Sequence, residues 1–219
     1  MHRGCYLAQL PAHLSEMARY GLHTGCRQGE ITGLQWQWLR EKNGIRYVAL
    51  PGDKTKNGES RPVVLNRIAA AIVDACHGRH PTHVFTYQPR GDRPRHPIER
   101  LRNTAWQRAR EAAGLPGLQV HDLRRTFGSR LRDNGVPIWT VSACLGHKSG
   151  DVTELYALPT LQELQAAVKM LETTASATLS AIYVRQNSGR LNSSRSKRSR
   201  KRLIMLVATG GLEPPTSAL

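Results

Sequence analysis

The sequence predicts an α+β fold, mainly α-helical, with a small antiparallel β-sheet. Three observations predict it. Apolar residues recur at helical spacing through several long segments. Two short β-branched runs flank one polar loop. Glycine or proline punctuates nearly every junction between these patterns. With 219 residues, the chain can bury one sizeable core and carry a tail. Aromatic residues make up only 5%, so an aliphatic core is expected.

Leu14, Met17, Ala18 and Leu22 mark a helix that starts at Pro11 and weakens at Gly21 and Gly25. A short helix follows from Arg27 towards Leu34. Ile45, Tyr47 and Val48 form one side of a hairpin, and Val63, Val64 and Leu65 form the other. Its tip, Pro51 to Ser60, is rich in Gly, Asp, Asn and Lys. Ile68 to Cys76 reads as helix, Val84 to Tyr87 as a third short strand, and Gln88 to Pro97 as an Arg- and Pro-rich loop. Glu99 to Ala113 is a helix closed by Gly114 and Pro116. The next runs from His121 to Asp133 and stops at Asn134-Gly135. Pro137 opens another, which Gly146 ends. Pro159 closes a short segment containing Tyr156, and Leu161 to Leu171 is a final amphipathic helix. Residues 1–172 therefore read as one domain. Residues 173–219, rich in Ser, Thr, Arg and Lys, are expected to form a basic, disordered tail.

Charge points to the partner. Lys and Arg total 32 against 16 acids, a net +16. Removing the eight basic residues and one acid of 173–219 still leaves +9, so the body is basic in its own right. Such an excess favours a polyanion, above all nucleic acid. The four cysteines lie far apart with no CxxC pair, and no zinc site is expected. The N-terminus has no apolar signal region, and the run Leu203 to Ala208 is too short to span a bilayer. A cytoplasmic protein without a membrane partner or small-molecule substrate is expected.

Phosphodiester exchange needs a nucleophile, donors for the non-bridging oxygens, and an acid for the leaving oxygen. Five segments supply them. Arg27 sits just after a helix-ending glycine, with Glu30 placed to buttress it. Lys54 and Lys56 lie on the hairpin tip, where a lysine can reach a leaving oxygen. His121 and Arg124, three apart, share one helix face and can bracket a phosphate. His147 follows the helix-ending Gly146. Tyr156 comes 9 residues later. Each alone fits an ordinary exposed or packed residue better. Their order is what distinguishes them.

That ordered set resembles the tyrosine recombinase (phage integrase) family. The resembling segments are TGCRQGEITGLQW, KTKNGESRPVVL, HDLRRTFGSRL and SACLGHKSGDVTELYA, spanning Leu10 to Leu171. The resemblance implies a tyrosine-recombinase-like catalytic domain over 1–172, with the family's N-terminal core-binding domain absent. It implies that Arg27 and Arg124 clamp the scissile phosphate and that His121 and His147 complete its hydrogen bonding. Lys56, rather than Lys54, would protonate the leaving 5′-hydroxyl, and Tyr156 would become a 3′-phosphotyrosine. No cofactor or metal is implied. The implied partners are double-stranded DNA and further copies of the chain, assembled as a tetramer on DNA at the nucleoid. The element served would be a phage or other mobile DNA.

Other readings stay open. A truncated fragment could bind DNA, or a full-length recombinase, without cutting. A type IB topoisomerase shares the tyrosine chemistry, although the GHKS-to-Tyr spacing favours a recombinase. Charge alone would also fit an RNA-binding protein.

Overall fold

Pro11 starts and Gly25 ends the helix on which much of the domain packs. The computed structural model describes residues 6–56, 58–91, 93–147 and 159–173, and the backbone of 181–185 and 201–205. A single turn, α1 (Tyr6–Gln9), leads into α2 (Ala12–Thr24). Leu14, Met17, Ala18 and Leu22 of α2 are buried, as their spacing predicts. Gly25 caps the helix at φ +65°, and its N–H donates to the Gly21 carbonyl at 2.9 Å. The short α3 (Gln28–Thr32) follows after three residues.

The sheet has one strand more than the sequence suggests. Its order is β1 (Leu39–Lys42), β2 (Ile45–Leu50), β3 (Arg61–Val64), all antiparallel. β2 and β3 are the expected hairpin, with Val48 opposite Val63 and Tyr47 opposite Val64. β1 is a polar edge strand, and hydrophobic alternation does not reveal it. Asn43 and Gly44 join it to β2, both with positive φ, the backbone that a two-residue hairpin turn requires. β3 is the other edge, which tolerates Pro62.

α4 (Arg67–Ala75) is capped by the Asn66 side chain. The third strand expected at Val84 to Tyr87 is shorter and sits in a different sheet. Thr86–Tyr87 (β4) pairs only with His96–Pro97 (β5), inside the segment read as loop. Val84 instead donates its N–H to the Leu34 carbonyl. The helix expected from Glu99 begins later, as α5 (Thr104–Ala112). The Asn103 carboxamide accepts the Trp106 N–H at 3.0 Å and fixes the start there, so Glu99 to Arg102 are loop.

α6 (Val120–Asp133) is the joint of the domain. Its start is fixed by Asp122, whose carboxylate accepts the Gln119 N–H at 2.9 Å. Leu123 packs into a core built from α1 to α5 and the sheet, whereas Phe127 and Leu131 pack with α7 (Ile138–Leu145) and α8 (Leu161–Thr173). The core is mostly aliphatic, as composition suggests. Its five largest fully buried side chains are Trp106, Tyr6, Tyr20, Phe85 and Phe127, whereas Tyr87 and Trp139 are exposed. Tyr6 meets Trp106 edge-on at 5.2 Å. Within the segment read as a disordered tail, Ala181–Arg185 (β6) pairs antiparallel with Lys201–Met205 (β7). Ile182, Tyr183 and Val184 are residue types that favour extended backbone, a signal that the surrounding Ser and Arg composition masks.

Candidate active site

Helix ends build the site. Carbonyls in the last turn of a helix lack intrahelical partners and carry the negative end of its dipole, so they attract cations. Arg124, on α6, reaches two such ends at once. Its Nη1 donates to the Gly25 carbonyl at the end of α2 at 2.8 Å, and its Nη2 donates to the Leu145 carbonyl at the end of α7. The guanidinium is thereby fixed in position and only 4% exposed. Burial, then the nearby Arg27 and Arg61, push its pKa down to about 10. The site therefore holds cations closer together than they would choose, an arrangement that an anion relieves.

Arg27 caps α3 and is held from behind by Glu30. Its backbone N–H donates to Glu30 Oε2 at 2.7 Å and its Nη1 to Oε1 at 3.1 Å. Glu30 is 2% exposed and also receives Arg61 Nη2 at 2.8 Å. Burial opposes the carboxylate charge. Arg61 and the donors of Arg27 outweigh it and hold the Glu30 pKa below its ordinary value. Removing one partner of such a buried pair typically costs about 3–5 kcal/mol, because the other charge is left uncompensated.

Arg27, His121 and Arg124 open onto one cleft of about 500 Å³, together with Gln28 and Gln119. Arg100 and Arg102 line it too. Sequence reasoning places these two on a helix. The Asn103 cap, which is visible in the sequence, is the signal that leaves them in the loop facing the cleft. Four arginines and a histidine thus line the cleft, and among the described residues no acid does. Forked guanidiniums suit the paired oxygens of a phosphate.

Gly146, at φ +62°, ends α7 and turns the chain so that His147 follows outside the helix. The pKa of His147 is lowered by partial burial first, then by Arg124, Arg27, Arg61 and His121, so the histidine shares the cationic field of the cleft. His121 is lowered likewise, by burial, Arg125, Arg124 and Arg27, against Asp122. Both rings favour the neutral form at pH 7, which donates through one nitrogen and accepts through the other. Lys56 is exposed on the β2–β3 loop and is not among the described residues that line the cleft. Thr55 braces that loop, its hydroxyl donating to the Gly52 and Glu59 carbonyls. Tyr156 lies outside the described residues. Among the described residues, no group of three side chains is placed to hold a metal ion, and no helix is long and apolar enough to cross a membrane.

Fold and cleft together define a mainly helical domain with a preorganised, arginine-rich cleft. The phage integrase family model matches residues 4–163. The chain belongs to the phage integrase family, the tyrosine recombinases. It is 29% identical over 151 residues to the integrase of Salmonella phage P22, covering 66% of this chain and 38% of that protein. To the shufflon-specific DNA recombinase of Escherichia coli it is 31% identical over 136 residues, covering 62% and 32%. To the tyrosine recombinase XerD of Mycobacterium tuberculosis it is 31% identical over 156 residues, covering 65% and 46%. The chain thus spans less than half the length of these three relatives. Among solved structures, a post-cleavage complex of the XerH site-specific recombinase with its palindromic difH substrate aligns with a TM-score of 0.47 at 18% identity. That alignment covers 76% of this chain and 50% of that one.

Proposed function

We propose that the chain is the catalytic domain, over 1–172, of a site-specific recombinase or integrase of a phage or other mobile element. It acts on double-stranded DNA through a 3′-phosphotyrosine. The observation that carries this reading is the convergence of Arg27, Arg124 and His121 on one cleft that, among the described residues, no acid lines.

In this reading the two guanidiniums hold the non-bridging oxygens of the scissile phosphate, with His121 and His147 completing the hydrogen bonds. Tyr156 Oη attacks phosphorus and forms the phosphotyrosyl bond as the 5′-oxygen leaves. His121 takes the phenolic proton, and Lys56, at the tip of its hairpin, supplies the proton for the leaving oxygen. The reverse attack by a 5′-hydroxyl rejoins a strand. The phosphotyrosyl bond conserves the energy of the broken phosphodiester, so the cycle needs no ATP. The arginines stabilise the charge that a metal ion carries in other phosphotransfer enzymes, and losing one such donor costs about 10²- to 10³-fold in rate. Assembly as a homo-oligomer on DNA, a tetramer for full strand exchange, follows from the same reading, as does action at the nucleoid. Residues 173–219 add non-specific DNA attraction through their basic run.

The test is a suicide duplex carrying the chain's attachment site. Wild type should trap a covalent adduct and Tyr156→Phe should not. An adduct from Tyr156→Phe overturns the nucleophile assignment. A retarded duplex with no adduct favours a DNA-binding module that does not cut.

A further inference from the structure

Arg61 takes no part in the chemistry above, yet it ties three parts of the site together. It opens β3, at the loop end of the hairpin whose tip carries Lys56. Its Nη2 donates to Glu30 Oε2, on the carboxylate that holds Arg27. Its Nη1 donates to the Cys144 carbonyl at 3.1 Å, one residue before the carbonyl that receives Arg124. The next residue, Gly146, lies so close that a Cβ there would come within 2.3 Å of Arg61 Cδ. Arg61 therefore lies flat against the turn that presents His147. Its side chain is 10% exposed, and its Nε is buried without a hydrogen-bond partner among the described residues. A group held so far from water, with one donor unused, is retained for where its other donors reach.

We propose that Arg61 is a positioning residue: by joining Glu30 to the C-terminal end of α7, it sets the spacing between Arg27 and His147. Only a guanidinium can do this. Its N–H groups diverge in one plane and span two acceptors, whereas an ammonium is a single point charge. The kinetic part of the proposal rests on the recombinase reading. The geometric part does not.

Single-turnover adduct formation on the suicide duplex, at saturating protein, compares wild type, Arg61→Lys, Glu30→Gln and the double variant. Arg61→Lys keeps the charge beside Glu30 but loses the span, and adduct should form about 10²-fold more slowly, the penalty of a small misplacement. Thermal midpoint and duplex affinity should stay near wild type. The double variant should be no slower than the slower single one, because both break the same linkage. A wild-type rate, or losses that simply multiply, overturns the proposal. The neutral pair Arg61→Gln with Glu30→Gln removes the buried charge together with its partner and replaces the lysine variant if that one does not fold.

Amide NMR of the free protein reads the tie without any reaction. Arg61→Lys should move the signals of Glu30, Gly146 and His147, all remote from it in sequence. Changes confined to β3 overturn the proposal. A wild type that forms no adduct counts against the proposed function instead, and the NMR result still decides the role of Arg61.

Discussion

Arg124 and Gly25, 99 residues apart in the chain, are joined by a 2.8 Å hydrogen bond from guanidinium to carbonyl. One glycine thus ends a helix, turns the chain towards Arg27, and anchors the second arginine of the cleft. Nothing larger fits there. A Cβ at Gly25 would lie 2.4 Å from Phe127 Cδ1, and its φ of +65° disfavours any side chain. Gly25→Ala should cost about 2–5 kcal/mol, the sum of left-handed strain and overpacking. Denaturant unfolding measures it. A loss near zero would mean that Phe127 swings aside, and that the glycine is not what holds the geometry.

Arg100 and Arg102 line the cleft beside the pair on which the proposed chemistry rests. If they meet phosphates, they should act through counterion release. The double variant Arg100→Ala with Arg102→Ala should bind duplex more weakly. Its slope of log affinity against log salt should be shallower by about 0.9 for each phosphate that is no longer neutralised. Titrations across a salt series measure this. An unchanged slope would place both arginines away from the DNA.

What the sequence discloses and what it hides follow from range. α2, α6 and α7 are legible because Pro11, Gly25, Asn134-Gly135, Pro137 and Gly146 bound them locally. The β2–β3 hairpin is legible from its alternating residues. β1 is not, because an edge strand reading Leu-Arg-Glu-Lys has no apolar face, although Asn43-Gly44 signals its turn. Arg27, His121, Arg124 and His147 can be picked out in order along the chain, and the first three meet at one cleft. Arg61 cannot be picked out. Its meaning depends on Glu30 and on the Cys144 carbonyl, and no local pattern links those three.

The two candidate histidines should titrate low. Burial, then Arg125 and Arg124, lower the His121 pKa, so protonation should set in only below the usual 6.5. If neutral His121 takes the phenolic proton, adduct formation should fall as pH drops through its pKa. Arg125→Gln removes the strongest of the opposing cations. The His121 titration, followed by NMR, and the acid limb of the rate should then move up in pH together. Movement of the titration without the rate would exclude His121 as the proton acceptor.

His23 offers a pH effect remote from the cleft. It is 1% exposed on α2, its Nδ1 meets Asn66 Nδ2 at 3.1 Å, and its Nε2 is buried without a partner among the described residues. Burial, with Arg130 and Arg19 nearby, pushes its pKa down to about 3. The folded value lies below the unfolded one of about 6.5, so between the two the unfolded chain binds the extra proton. Stability contributed by neutral His23 is therefore complete above pH 6.5 and is lost as pH falls towards 3. The slope approaches about 1.4 kcal/mol per pH unit once the unfolded chain is fully protonated and the folded one is not. Asn66 also donates to the Val168 carbonyl of α8, so protonating His23 loads the bond that fastens α8 to α2 and α4. Denaturant unfolding at a series of pH values from 7 to 4 should show the fall. His23→Gln, though less stable at pH 7, should show a shallower one. Equal slopes in the two proteins would mean that His23 is hydrated or paired when the chain is folded.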